Sequence, residues 1–151
     1  MNNKNKQRSG WLSVLQLILG IGALFGGASL MIDPTGALLG MSLSMLDRSP
    51  FPNYLIPGVM LLAVLGIMPI IISLGLIIRW KWRLADKLNV FHNMHWSWSF
   101  SLYSGFALII WIAIQVYIIN ACSIIHLVYI LLGLVIQVVT LLPGTQRKYR
   151  I

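Results

Sequence analysis

The chain has 151 residues, of which 58% are hydrophobic and only 9% are charged, and its mean hydropathy is +0.85. A soluble domain carries about 25% charged residues, so this composition excludes an ordinary soluble domain and indicates an integral membrane protein. The net charge of +8 does not indicate nucleic acid binding, because the basic residues cluster next to the apolar runs.

Four apolar runs without Asp, Glu, Lys or Arg are long enough to cross a bilayer, which takes about 20 helical residues at roughly 1.5 Å per residue. They cover residues 11–32, 54–78, 100–119 and 124–142. A membrane β-barrel needs short segments of alternating hydrophobicity instead of continuous runs. We therefore predict an all-α membrane protein, a single four-helix bundle.

The first run follows a basic leader and has some features of a secretory signal, with Gly26-Gly27-Ala28 as a poor cleavage site. Its apolar stretch is longer than the roughly 7 to 15 residues of a signal core, so we expect a retained helix. Cleavage would leave three helices and an external N-terminus, which conflicts with the distribution of charge.

Basic residues form three clusters, before the first helix, after the second and after the fourth. The clusters are Lys4, Lys6 and Arg8; Arg79, Lys81, Arg83 and Lys87; and Arg147, Lys148 and Arg150. Four crossings bring all three to one side, while the other side receives only Arg48. The positive-inside bias then predicts that both termini are cytoplasmic and that the clusters contact anionic lipid headgroups.

The loop between the first two helices has an unusual composition. Asp33-Pro34-Thr35-Gly36 is typical of a type I turn, and prolines at 50, 52 and 57 favour an extended path, yet residues 37–46 are mostly apolar. We predict a short amphipathic segment on the external side that caps the bundle.

The linker of residues 80–99 has apolar residues at helical spacing, so part of it is predicted to lie in the membrane interface. Four tryptophans in it are interpreted as an interfacial belt: Trp80, Trp82, Trp96 and Trp98. His92 and His95 lack a third ligand, so no metal site is predicted. The single Cys122 excludes an intrachain disulfide and disfavours a quinone-linked thiol oxidoreductase.

Small and polar residues fall on one face of each predicted helix, which is how membrane helices pack together. The four faces are Ser13, Gln16, Gly20, Ala23 and Gly27; Ala63, Gly66, Pro69 and Ser73; Ser97, Ser101, Ser104, Gly105 and Gln115; and His126, Gly133, Gln137 and Thr140. We expect these faces to meet in the bundle interior.

Depth along the helices divides the polar residues into two layers. Gln16, Ser73 and Gln137 lie at a similar depth near the cytoplasmic side, and Gln115 and His126 lie near the external side. Either layer could hold the helices together or form a polar cavity for a small ligand or a lipid headgroup.

A second small face on the first helix contains Gly22 and Gly26 in a G-x-x-x-G pattern. Such a pattern suits close packing against another helix of this chain or against a partner.

No predicted helix contains a carboxylate or a basic side chain, which disfavours ion-coupled transport. The three acidic residues of the chain are not spaced as a catalytic set, so no catalytic residue and no cofactor is predicted.

Two motifs carry a resemblance: Asp33-Pro34-Thr35-Gly36, preceded by small residues, and Tyr54-Leu55-Ile56-Pro57-Gly58. With them the chain resembles small bacterial four-helix integral membrane proteins and, more distantly, the DoxX-like group. The resemblance implies a multi-pass protein of the bacterial inner membrane, and it carries no catalytic residue over to this chain.

Two non-enzymatic functions remain open from the sequence, and an enzyme is the third alternative. The first is a non-enzymatic accessory protein that binds a membrane partner, or a second copy of itself, through Gly22 and Gly26. The second is a carrier or binder of a small amphiphile or lipid, with Gln16, Ser73 and Gln137 as polar contacts and the cap as a lid.

Overall fold

A computed structural model describes the backbone of residues 3–151 and the side chains of residues 10–151, so the side chains of Lys4, Lys6 and Arg8 lie outside the described residues. The elements are α1 (Asn3–Ile32), α2 (Leu55–Ile78), α3 (Arg83–Lys87), α4 (Trp96–Ile119), α5 (Ile124–Leu141) and α6 (Pro143–Tyr149). The predicted all-α class is confirmed: four helices are long and apolar enough to cross a membrane, namely Gly10–Ile32, Leu55–Ile78, Trp96–Ile119 and Ile124–Leu141.

The third spanning helix begins earlier than predicted, at Trp96 and not at Phe100. His95 caps it, because its Nδ1 accepts the amide of Ser97 at 3.3 Å. The alternating Trp and Ser residues of the first turn lower the local hydropathy, which hid this turn from a search for apolar runs.

Trp96 and Trp98 belong to the core and not to an exposed belt. Trp96 is fully buried, packs with its ring centroid 5.2 Å from those of Trp80 and Trp82, and donates from Nε1 to the Trp80 carbonyl at 2.8 Å. Trp98 donates from Nε1 to the carbonyl of Thr140 at 2.8 Å. The tryptophans therefore fix α4 against α5 and against the linker.

The middle of α2 is wound as a π-helix over Leu61–Ile67. Pro69 follows it, and a proline removes one helical hydrogen bond while its ring crowds the carbonyl four residues earlier, here that of Leu65. The wider turn accommodates that carbonyl and shifts the phase of the preceding residues. Ala63 is exposed as a result, so its predicted place on the interior face is wrong, whereas Gly66 and Ser73 are buried.

Glycines bring two pairs of helices into close contact. A Cβ atom added to Gly27 would lie 2.8 Å from the Gly58 carbonyl oxygen across α1 and α2. In the same way, a Cβ atom on Gly105 would lie 3.0 Å from the Gly133 carbonyl oxygen across α4 and α5. These are interfaces where small residues allow backbones to approach, as predicted from their shared faces.

The apolar loop folds over the end of the bundle that is remote from both termini. Asp33 starts a turn in which the Gly36 amide donates to the Asp33 carbonyl at 3.0 Å, and two 3₁₀ turns follow at Ala37–Leu39 and Leu43–Leu46. Leu46, with Met41 beside it, packs on Leu30 and Tyr54. We call residues 33–54 the cap.

The opposite end holds the linker and the C-terminal segment. After α3 the chain turns back, and Met94 forms an antiparallel bridge with Arg150. The amide of His95 donates to the Tyr149 carbonyl, and the amide of Ile151 donates to the Asn93 carbonyl. This end carries Arg79, Lys81, Arg83 and Lys87 as well as the basic C-terminal residues.

Candidate functional site

Buried polar groups concentrate in the half of the bundle nearest the termini, which we call the terminal half. Gln16 of α1 is fully buried, and its Nε2 donates to the Ser104 hydroxyl at 2.8 Å. The Ser104 hydroxyl also lies 2.8 Å from the carbonyl of Ser101. Ser73 of α2 donates to the Ser13 carbonyl at 2.9 Å. Both bonds join α1 to a neighbouring helix.

The three residues of the predicted inner layer therefore belong to separate contacts. Gln16 is paired with Ser104, and Ser73 is paired with the backbone of α1. Gln137 packs against Gly105, and its buried Nε2 has no hydrogen-bond partner among the described residues. Each of these three side chains is thus engaged at a different contact between helices.

The sequence placed Ser104 on the interior face but did not identify it as the partner of Gln16. Serines at positions 97, 101 and 104 recur along one face of α4, and all three are buried. That run of serines on a single face was the sequence pattern that could have indicated a partner for Gln16. Counting residues along each helix could not find the pair, because depth alone does not show which helices are neighbours.

The other half of the bundle, beneath the cap, contains two cavities and is called the cap half. The cap cavity has a volume of about 370 Å³ and lies between the cap and the facing parts of α2 and α4. Its walls are almost entirely apolar and include Leu46, Phe51, Tyr54, Met60, Ile114 and Ile118. A volume of this size lies within the range of about 300 to 1,000 Å³ that small-molecule sites occupy.

The second cavity, of about 180 Å³, lies deeper between the helices, and we call it the bundle cavity. Its walls include Gly22, Gly26, His126 and Tyr129. Three residues line both cavities: Leu61, Trp111 and Gln115. The two spaces are therefore neighbours that meet at Gln115.

Gln115 is the polar side chain at this junction. It is half-buried, and no side-chain hydrogen bond of its amide is found among the described residues. The amide of Ser123 donates to Nδ1 of His126 at 3.0 Å, so this imidazole caps α5 and leaves Nε2 as its protonated nitrogen. The predicted outer layer thus consists of one helix cap and one amide that faces a cavity.

The face that contains Gly22 and Gly26 is directed at helices of the same chain. A Cβ atom on Gly22 would lie 3.2 Å from the Tyr129 hydroxyl, and one on Gly26 would lie 3.5 Å from a methyl group of Leu61. Both glycines also line the bundle cavity. Their small size leaves that space open.

The cap is anchored by specific hydrogen bonds. The Tyr54 amide donates to the Pro34 carbonyl at 2.9 Å, and the Tyr54 hydroxyl donates to the Ser42 carbonyl at 2.8 Å. Burial raises the pKa of Tyr54 above its usual value of 10.0, which keeps the hydroxyl protonated and able to donate. Asp33 accepts from the Thr35 hydroxyl at 2.6 Å and from the Leu38 amide at 2.8 Å, and these bonds lower the pKa of the Asp33 carboxyl.

Within residues 10–151, no group of three His, Cys, Asp or Glu side chains lies close enough to hold a metal ion. The Asp33 oxygens and the His126 Nδ1 are each engaged in local turn or cap bonds. The arrangement offers a place to bind an apolar or amphiphilic molecule.

Comparison of the chain with protein-family models, with curated proteins and with solved structures finds no match.

Proposed function

We propose that this multi-pass membrane protein is a non-enzymatic binder or carrier of a small amphiphile, and that the ligand occupies the cap cavity with its polar group on Gln115. The observation that carries the proposal is the Gln115 amide, which has no side-chain partner among the described residues where two cavities meet. An apolar cavity with one convergent polar group is the usual form of a site for such ligands.

The chemistry of the walls supports an amphiphile over a polar metabolite. A ligand hydroxyl or carbonyl that bonds to Gln115 would give its amide a partner, and a hydrogen bond of this kind contributes about 0.5 to 1.5 kcal/mol. The remaining walls, including Phe51, Met60 and Ile118, provide contact only for apolar surface. A ligand with a hydrocarbon body and one hydrogen-bonding group meets both requirements.

Access from the bilayer is supported by the exposure of the lining residues. Ile114 is 52% exposed and Met60 is 45% exposed, although both line the cap cavity. In a membrane their exposed surfaces would contact lipid, so the cavity borders the bilayer. The cap covers the same cavity through Leu46 and Tyr54, which gives it the place of a lid.

The accessory-protein hypothesis remains the alternative. It depends on a spare face at Gly22 and Gly26, and a Cβ atom on these glycines would meet Tyr129 and Leu61 of the same chain. A stoichiometric protein partner in material purified from the native membrane would favour that hypothesis.

We also propose that the protein lies in the bacterial cell membrane with both termini cytoplasmic. The basic residues of the linker and the C-terminal segment lie at the same end of the bundle, as the bridge between Met94 and Arg150 requires, and Arg48 lies in the cap. A reporter fused to the C-terminus should read as cytoplasmic. An external reading would overturn the orientation.

Binding can be measured by quenching of Trp111, which lines both cavities. The probe is a long-chain alcohol brominated on its hydrocarbon chain, because bromine quenches tryptophan at short range. We expect saturable quenching in the purified protein, loss of most of it in Trp111→Phe, and an affinity about tenfold weaker in Gln115→Leu, equivalent to roughly 1.4 kcal/mol.

Gln137→Leu is the matched control, because this glutamine lines neither cavity. Its affinity should equal that of the unaltered protein. Quenching that rises linearly without saturation, or that is equal in Gln115→Leu, would show simple partitioning into the detergent micelle and overturn the proposed site.

A further inference from the structure

A third cavity lies at the other end of the bundle, remote from the cap. It has a volume of about 440 Å³ and is bounded by the C-terminal end of α2, by α3 and by the segment that leads into α4. Its polar wall consists of Arg79, Lys81, Asp86, Asn89, His92 and His95. We propose that this cavity is a discrete site for the phosphodiester headgroup of an anionic lipid.

Arg79 is held in place before any ligand arrives. It ends α2 in the left-handed conformation, with φ at 58°, and its amide donates to the Gly75 carbonyl at 3.0 Å. The guanidinium carbon lies 4.9 Å from the centre of the Tyr149 ring. Tyr149 is fixed in turn, because its hydroxyl donates to the Leu76 carbonyl at 3.0 Å.

No carboxylate among the described residues forms an ion pair with Arg79, so its planar fork of donors is available to a phosphate. Lys81 adds a second positive charge to the same wall. A phosphodiester has two oxygens that share its negative charge, so it matches the side chains of Arg79 and Lys81 better than a monatomic anion such as chloride does.

Asn89 and His95 offer further polar contacts in the wall. Asn89 is buried, donates from Nδ2 to the Met94 carbonyl at 2.7 Å and accepts the Phe91 amide at 3.0 Å. The His95 Nδ1 accepts the Ser97 amide, so Nε2 carries the proton, and this buried Nε2 has no partner among the described residues.

Asp86 is the one acidic side chain of the wall, and it gives the ligand a second requirement. A bare phosphate would be repelled by it. A headgroup that carries a hydroxyl or an ammonium group beside its phosphate places a hydrogen-bond donor near Asp86 and its phosphate near Arg79 and Lys81. Phosphatidylglycerol has this chemistry.

Exposed apolar residues next to the cavity favour a lipid over a free anion. Leu84, Leu88 and Val90 are 65%, 69% and 74% exposed and lie on α3 or directly after it, among Arg83 and Lys87. Apolar and basic residues together are typical of a segment in the membrane interface. Acyl chains on this surface would leave their headgroup at the cavity.

The test uses the full chain, delipidated in detergent, and measures binding of phosphatidylglycerol by native mass spectrometry. We expect clear preference over phosphatidylcholine and an affinity at least tenfold weaker in Arg79→Asn. Asparagine tolerates the left-handed conformation, so this variant removes the charge with little strain at the helix end. Lys81→Gln, in an exposed non-helical segment, is a second variant that should weaken binding without affecting folding.

The matched control is Arg83→Gln, which removes the same charge from the same end of the protein but does not line the cavity. It should change the affinity less than twofold. Equal weakening in Arg83→Gln and Arg79→Asn would show attraction to the general basic surface and overturn a discrete site. Inorganic phosphate that displaces the lipid at millimolar concentration would overturn the lipid as ligand.

Discussion

In the terminal half of the bundle, polar side chains from different helices are joined by hydrogen bonds, and Trp96 is packed tightly between the helices and the linker. Gln16 bonds to Ser104, Ser73 bonds to the α1 backbone, and Trp98 bonds to the α5 backbone. In the cap half, two cavities remain open and the Gln115 amide has no such partner. The contrast separates two settings for polar groups in the bundle: in one they join helices, and in the other an amide faces open space.

The largest expected effect on stability comes from adding a methyl group where the helices of the terminal half are closely packed. A methyl group on Gly75 would overlap the Trp96 ring, which is itself held between Trp80 and Trp82. Gly75→Ala should lower the free energy of unfolding by about 1 to 3 kcal/mol, as overpacking does. Thermal unfolding in detergent measures this.

Gly26→Ala is the matched substitution in the cap half, where the added methyl would meet Leu61 at an ordinary 3.5 Å. Its stability should be unchanged or slightly higher. Equal destabilisation by both substitutions would remove the distinction between the close packing around Trp96 and the open space beneath the cap.

A smaller effect is expected from Gln16→Leu, which breaks the bond to Ser104. Hydrogen bonds between membrane helices contribute about 0.6 to 2 kcal/mol, so the free energy of unfolding should fall by that amount. A double-mutant cycle with Ser104→Ala isolates the pair. Gln137→Leu should be neutral or stabilising, because the Gln137 Nε2 is buried without a partner.

The smallest effect concerns the pH dependence of the cap. The pKa of Asp33 is lowered from 3.8 by hydrogen bonds from Thr35 and Leu38, so the bonded carboxylate stabilises the turn above pH 3.8. This stabilisation should be lost as the pH falls through the lowered pKa, because the protonated group accepts more weakly. The protection factor of the Leu38 amide against hydrogen exchange reports it.

Asp33→Asn supplies the comparison for that experiment, since its side chain does not titrate. The Leu38 amide should have low protection in this variant at every pH. A steep loss of protection on acidification that persists in Asp33→Asn would assign the pH dependence to another group.

The sequence was sufficient for the four spans and for most of their interior faces, because both depend on local composition and helical period. It missed the first turn of α4 because Trp96 and Ser97 lower the hydropathy of a helix that His95 caps. It misplaced Ala63 because a regular period cannot anticipate the π-helical turn before Pro69.

The candidate site was predictable only in part. Gln115 and the apolar cap were recognised as separate features, but their meeting at one cavity depends on how the loop folds over α2 and α4. Loop conformation follows from contacts such as the Tyr54 hydroxyl on the Ser42 carbonyl, which join residues with no periodic relation. The third cavity, likewise, needs the C-terminal segment to return beside Met94.

The most direct test of the central claim is native mass spectrometry of the protein taken from its own membrane in lipid nanodiscs, with the retained small molecules identified. Besides any phospholipid at the third cavity, we expect one amphiphile per chain that is retained in Gln137→Leu and lost in Gln115→Leu. A stoichiometric protein partner with no such amphiphile, or equal retention of that amphiphile in both variants, would contradict binding at the cap cavity.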